Sequence, residues 1–309
     1  MSATSHTPDW HARRLTVIGG SEIALLFGLQ PYGRSIYALW HEKAGIVAAP
    51  DIGNERMAWG LRLERAIAEG AAEQSGWTIR PGWHATDPTT PGLGATLDFV
   101  IDENAAERAQ GRVGPGVLEV KNVDWLQHKR AWDDEPPLNI ELQLQHQLAS
   151  TGYTWGAIAA LIGGNELAIH YFAARPKIIA AIRERVTAFW ASIRDNKPPE
   201  PDGAASISTI RALYPDIMDQ EADLTQDNEL PELCADFLKC GEARKAAAKA
   251  EDEAKSRIFA KLADHKRALS VGFRISQSVT AANPGRPPEP GELIGKRAES
   301  RRLNVKEVA

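Results

Sequence analysis

The stretch from Gly92 to Lys121 constrains this chain most tightly. It contains Asp98, then a polar strip, then an apolar run that ends in Glu119-Val120-Lys121. Alternation along a strand puts Glu119 and Lys121 on one side and Val120 on the other, so a carboxylate and an ammonium project together. Asp98 is close enough in the chain to join them across a neighbouring strand. Two carboxylates and a lysine converging on one sheet edge can hold a hard divalent cation through oxygen ligands and orient a water toward a phosphodiester. The ordinary reading of acid-x-Lys at a strand end is a solvated ion pair, so the triplet needs support from elsewhere in the chain.

At 309 residues the chain has room for one large α/β domain with an appendage, or for two modest domains. Its two cysteines, Cys234 and Cys240, match neither a zinc-ligand spacing nor a disulfide framework, so they read as reduced thiols in a cytoplasmic protein. The sequence has no secretory signal and no apolar run long enough to span a bilayer, and no membrane role is expected. A formal net charge of −5 counts mildly against a nucleic-acid binder. An enzyme that gathers carboxylates around metal ions and confines its basic residues to a channel can still be acidic in sum, so local charge decides. The eight histidines show no metal-ligand spacing, and no Gly-rich phosphate loop indicates ATP use.

Residues 1–13 are polar and read as a flexible N-terminus. Helices are expected from Ser21, as N-cap, through Phe27, over Ser35 to Ala44, over Met57 to Gln74, over Ile140 to Thr151 and over Ile178 to Ile193. Strands are expected at Trp77 to Ile79, Gly94 to Ile101, Gly116 to Val123, Trp155 to Ile162 and Glu166 to Phe172. The second and third of these should pair as an antiparallel hairpin. This order gives an α/β domain over 14–197 centred on a mixed sheet. A linker at 198–228, an appendage at 229–282 made of a long helix and a short hairpin, and an extended Pro-rich tail at 283–309 complete the expectation.

Asp98 followed at a distance by Glu119-x-Lys121 resembles the PD-(D/E)XK nuclease motif, with Leu97 standing where the motif name has proline. Three further features go with it. One is Trp10-His11-Ala12-Arg13-Arg14-Leu15-Thr16-Val17-Ile18-Gly19-Gly20-Ser21-Glu22, with Gly28-Leu29-Gln30-Pro31-Tyr32 and Leu39-Trp40-x-x-Lys43 after it. The others are Gly60-Leu61-Arg62-Leu63-Glu64 and Gln143-Leu144-Gln145-His146-Gln147 followed by Thr151-Gly152. In order and approximate spacing, residues 10 to about 195 resemble the phage lambda exonuclease and YqaJ viral recombinase family.

That resemblance implies a restriction-endonuclease-like core, a central mixed β-sheet flanked by helices, with a C-terminal helical appendage. It implies Asp98, Glu119, Glu64 and the Val120 carbonyl as ligands for Mg²⁺, with Mn²⁺ able to substitute and two ions per site. Lys121 would stand beside the attacking water, and Gln143 would orient Lys121 or the nucleophile. Arg14, Ser21 and Thr96 would receive a terminal 5′ phosphate; Thr96 takes the place of a serine and keeps its hydroxyl. The implied activity is 5′-to-3′ exonucleolytic digestion of linear duplex DNA, leaving 3′ overhangs for phage-type recombination in a bacterial host cell. The implied partners are duplex DNA with a 5′-phosphorylated end, a single-strand annealing recombinase and further copies of the chain in a ring, a trimer for instance.

Two rivals stand beside it. An endonuclease of the same fold would act on branched or modified DNA, and a catalytically inactive scaffold would use the long helix as an oligomerisation arm. Taken singly, Glu64 on an amphipathic helix reads as solvated and Ser21 as an N-cap. Gln143, Gln145 and Gln147 cannot all face one way on a helix, so Gln145 and Gln147 are expected at the surface. His128, Lys129 and Arg130 are candidates for DNA backbone contacts, and Trp10, Trp125 and Trp132 are the tryptophans expected to be exposed.

Overall fold

In this computed structural model the described residues are 14–48, 55–132, 135–216, 220, 222–280 and 300–307. The N-terminal segment with Trp10 and most of the Pro-rich tail lie outside them. The chain divides into two units, Met1–Ile217 and Met218–Ala309.

The first unit is built on a five-stranded mixed sheet. Its strands are β1 (Ile79–Pro81), β4 (Phe99–Ile101), β5 (Gly116–Val123), β6 (Trp155–Ile162) and β7 (Glu166–Ala173), in the spatial order β1-β4-β5-β6-β7. All neighbours are antiparallel except β5 and β6, where Glu119 lies level with Ile158 and Lys121 with Ala160. A parallel pair needs a long crossover, and the helix Leu138–Thr151 lies in that connection. It covers one face, packing Ile140, Leu144 and Leu148 on Val117, Val123, Ile158 and Ile162. The opposite face is covered by the helix Glu55–Ser75, whose Ile67, Ala68 and Ala71 meet Leu118, Val120, Ala157 and Ala159. A Cβ at Gly156 would come within 2.8 Å of Leu144 Cδ1, so glycine there lets the crossover helix press onto the sheet. A third cluster joins Ile18, Ile23, Leu39 and Trp40 to Ile182, Val186 and Phe189 of the helix Pro176–Arg194.

The segment expected as one strand from Gly94 to Ile101 is two. β3 (Gly94–Thr96) pairs with β2 (His84–Thr86), and the chain bends at Leu97-Asp98 before β4 enters the main sheet. Both bend residues are tied to the backbone before them, Leu97 N–H to the Trp83 carbonyl at 3.1 Å and Gly82 N–H to the Asp98 carbonyl at 2.9 Å. The hairpin partner of β5 is therefore β4 alone. Trp77 precedes its expected strand and instead donates its indole N–H to Glu107 at 2.7 Å.

Ser21 is not the N-cap of the helix Ile23–Leu26; Glu22 holds that position and makes no side-chain capping bond. Ser35 does cap the helix Ile36–Lys43, accepting from Ala38 N–H at 2.9 Å. Asp202, in the segment expected as a linker, accepts from Ile36 N–H at 3.0 Å and from the Gln30 amide at 3.0 Å. A short helix Ile207–Leu213 follows, and the first unit runs on to Ile217.

The second unit holds the helix Leu230–Leu262 and an antiparallel sheet in the order β10-β9-β8, from β8 (Arg267–Ser270), β9 (Phe273–Thr280) and β10 (Ser300–Glu307). Residues 300–307 of the tail are thus a strand. Cys234 and Cys240 are both free and exposed. Among the described residues no helix is long and apolar enough to cross a membrane.

Candidate active site

Alternation along β5 works as the sequence requires. Leu118 and Val120 face the Glu55–Ser75 helix, while Glu119 and Lys121 face the crossover helix. Glu119 is 1% exposed, and a carboxylate that deep requires donors. It has three: Gln143 Nε2 donates to Oε1 at 2.6 Å, Gln147 Nε2 donates to Oε2 at 2.6 Å, and Lys121 Nζ lies 2.5 Å from Oε1. Lys121 also donates to Gln143 Oε1 at 3.1 Å. Glu119, Lys121 and Gln143 close a ring of hydrogen bonds around one ammonium.

Gln147 is therefore a site residue and not a surface one. Positions four apart on a helix share a face, so the signal lay in the spacing of Gln143 and Gln147. Gln145 points elsewhere and is also buried: it accepts from Arg175 N–H at 2.8 Å and donates to the Ala173 carbonyl at 2.9 Å. His146 is buried too, with Nε2 at 3.0 Å from the Gly94 carbonyl, and burial lowers its pKa so that the ring is a neutral donor there.

Asp98 sits on the bend between β3 and β4. Its Oδ2 accepts from Val120 N–H at 2.8 Å, across the edge of β5 that β4 leaves uncovered past Leu118. An extended residue directs its N–H and C=O to the same edge, so the Val120 carbonyl leaves β5 on the Asp98 side. Burial, then the negative charge of Glu119, hold the Asp98 carboxyl well above the usual carboxylate range; Glu64 adds to this, while Lys121 and the Val120 N–H oppose it. Glu64, half-buried on its helix, is raised by burial and by Glu119, with Lys121 opposing. The fold thus brings Glu64, Asp98, Glu119, Lys121 and Gln143 together in one electrostatic neighbourhood.

Among the described residues no three His, Cys, Asp or Glu side chains converge as a ready-made metal cage. The donor set nevertheless fits a hard cation. Asp98 and Glu64 are short of positive charge, the Val120 carbonyl borders them, and the buried Gln147 Oε1 has no partner among the described residues. Both Glu119 oxygens, by contrast, are engaged by Gln143, Gln147 and Lys121.

The residues singled out for a terminal phosphate lie on two segments, 14–21 and β3, which the Ile18–Leu93 bridge joins just before β3. Thr96 is exposed two positions before Asp98, with Oγ1 3.3 Å from His84 Nδ1. Ser21 is exposed beside Gly20, where a Cβ would lie 3.1 Å from Gln143 Cγ. Arg14 donates to Glu22 Oε1 at 2.9 Å. His128, Lys129 and Arg130 belong to a different patch, the last turn of the helix Trp125–Ala131, where Lys129 Nζ stands 4.0 Å from the centre of the Trp125 ring. Trp125 is exposed as expected, but Trp132 is 4% exposed because it turns inward to the core of Val123, Ile140 and Ile162.

Residues 9–154 match the YqaJ-like viral recombinase domain. No protein of curated function matches the sequence. Among solved structures the chain is similar to the alkaline exonuclease LHK-Exo from Laribacter hongkongensis, at 19% identity, with 62% of this chain and 94% of that one covered and a TM-score of 0.50. The same enzyme in complex with dAMP gives 20% identity, 62% and 94% coverage and a TM-score of 0.49. A phage-related exonuclease from Haemophilus somnus gives 11% identity, 60% and 97% coverage and a TM-score of 0.40. At 19% identity the first of these speaks to the fold alone, an α/β core with a central mixed sheet flanked by helices. The sequence match shows a YqaJ-like viral recombinase domain over residues 9–154, in line with the resemblance read from the sequence.

Proposed function

We propose that this chain is a divalent-metal-dependent deoxyribonuclease that digests linear duplex DNA from 5′-phosphorylated ends, 5′ to 3′, and leaves 3′ overhangs for recombination. The observation that carries the reading is the ring of Glu119, Lys121 and Gln143, with Lys121 Nζ 2.5 Å from Glu119 and 3.1 Å from Gln143 Oε1, beside an Asp98 crowded by negative charge. An ammonium held by Glu119 and Gln143 keeps a defined direction beside Asp98, where it serves a phosphoryl oxygen or the attacking water.

Asp98, Glu64 and the Val120 carbonyl would hold Mg²⁺, or Mn²⁺ in its place, and two ions share the site if Glu119 turns an oxygen outward. The ion supplies the positive charge that polarises the scissile phosphate and acidifies a water. The chain does the rest. Gln143 and Gln147 fix the Glu119 carboxylate, Glu119 and Gln143 fix Lys121, and Lys121 neutralises charge that builds on the phosphoryl oxygens. Arg14, Ser21 and Thr96 receive the terminal phosphate, Arg14 through its donor fork and the two hydroxyls as single donors. His128, Lys129 and Arg130 add a sequence-independent backbone contact. Several copies in a ring, three for instance, would enclose the duplex, and an annealing recombinase would take up the 3′ strand.

The test is gel-resolved digestion of a linear duplex with Mg²⁺, comparing 5′-phosphate with 5′-hydroxyl ends and with a covalently closed circle. Lys121→Ala serves as the control. Loss of one strand from phosphorylated linear ends, absent in the control, is the expected result. Cutting of the closed circle would establish an endonuclease instead, and no cleavage with any divalent metal would leave a DNA-binding scaffold.

A further inference from the structure

Glu22 and Lys43 form a buried ion pair, Nζ to Oε2 2.7 Å, with side chains 2% and 3% exposed. The ammonium has three protons, and the structure gives it three acceptors: Glu22, the Arg14 carbonyl at 2.5 Å and the Val17 carbonyl at 2.8 Å. Glu22 in turn accepts from Gly19 N–H at 3.0 Å and from the Arg14 guanidinium at 2.9 Å. One buried pair thus fixes the backbone at 14, 17 and 19 and the side chain of Arg14.

The other side of the same segment is tied to the catalytic elements. Ile18 N–H donates to the Gly92 carbonyl at 2.8 Å, next to the strand that leads to Asp98. Gly20 packs against Gln143 so closely that a Cβ would come within 3.1 Å of it. Arg34 completes the cluster, donating to Glu42 at 3.0 Å and standing 3.9 Å from Glu22. The Arg14 side chain, 37% exposed, leads from this cluster to the surface, and a guanidinium fork is a bidentate donor to phosphate.

We propose that Lys43 and Glu22 are positioning residues for the terminal phosphate: by clamping residues 14–19 they place Arg14 and Ser21 at a fixed distance from Lys121, and so set the preference for phosphorylated 5′ ends. The inference rests on the exonuclease reading above. A buried ion pair that served stability alone would, when broken, slow all substrates by one factor; a positioning pair changes their ratio.

The experiment measures kcat/KM on 5′-phosphorylated and 5′-hydroxyl duplexes of one sequence for the full-length chain, Lys43→Met and Glu22→Gln, with a thermal melt of each. The wild type is expected to favour the phosphorylated end. Both variants are expected to lose most of that preference, by about tenfold or more, because a displacement of about 1 Å is enough to forfeit such a factor. The rate on hydroxyl ends should fall less than the rate on phosphorylated ends. Glu22→Gln keeps an acceptor for Gly19 N–H and decides the matter if Lys43→Met does not fold. An unchanged ratio in a folded variant overturns the clamp while leaving the exonuclease standing. A wild type indifferent to the 5′ phosphate overturns the phosphate pocket itself, and the clamp with it.

Discussion

Gln147 donates its side-chain amide to Glu119 Oε2 at 2.6 Å, one helical turn beyond the amide that Gln143 gives to Oε1. A carboxylate in the interior of a sheet is tolerated here because two amides from one helix face and one lysine meet it.

Replacing Gln147 by leucine keeps much of its volume and strips a buried oxygen of its donor. Chemical denaturation should show a loss of about 1–3 kcal/mol. Digestion should slow as well, because Glu119 then no longer fixes Lys121. Equal stability of variant and wild type would mean that the amide and carboxylate are not bonded.

Asp98 gives a pH dependence whose sign follows from its raised pKa. The folded state holds a proton that the unfolded chain releases near pH 3.9. Between that value and the raised folded pKa the native state binds more protons, so this group makes metal-free stability fall as pH rises through the window. Asp98→Asn still offers an oxygen to Val120 N–H and cannot ionise. Its metal-free thermal midpoint should therefore exceed that of the wild type at the alkaline end, with DNA cleavage abolished. Added Mg²⁺ should raise the wild-type midpoint and leave the variant nearly unmoved. A wild-type curve that climbs with pH across this window would contradict the assignment.

Gly20→Ala tests the contact between the 14–21 segment and the crossover helix Leu138–Thr151. The new methyl would stand 3.1 Å from Gln143 Cγ, whose amide is held by Glu119 and Lys121. We expect cleavage to drop about tenfold, as small misplacements near a reacting centre do, with little change in the melting temperature. Retention of full activity would show that Gln143 can yield without disturbing Lys121.

A chain ended after Lys197 should be less stable than one ended after Ile217. It lacks Asp202, which accepts the Ile36 N–H at the start of the helix Ile36–Lys43. Asp202→Ala alone should cost about 0.5–2 kcal/mol, the usual range for a helix-start acceptor. Matching denaturation curves for the two lengths would show that 198–217 adds nothing.

The parts of the site that were legible in the sequence are those fixed by short-range periodicity. Period two along Gly116–Val123 places Glu119 and Lys121 together whatever the rest of the fold does, and the helix carrying Gln143 is bounded by its own apolar spacing. Gln147 was legible in principle, four positions on, but a run of alternating glutamines looks like a polar face unless a buried acid is known to lie opposite. The bend at Asp98 was not legible, because alternation continues through Leu97 and nothing local announces that β3 and β4 pair with different partners. Nor was Ser21: Glu22 spends its carboxylate on Lys43 and Arg14, and the helix start is set by that pair. Asp202 sits in a stretch of prolines and polar residues, where only a tertiary contact reveals its use.

The crossover between β5 and β6 has a kinetic corollary. Glu119 belongs to β5, yet its amide donors ride on the helix that must be laid down before β6 can pair beside it. Closing the sheet and supplying the acid with its amide donors therefore go together, and a chain that has reached only residue 137 during synthesis has the strand without its amides. Partly assembled molecules should be unable to cut DNA, and on heating the enzyme should lose its chemistry and its central strand pairing in a single step.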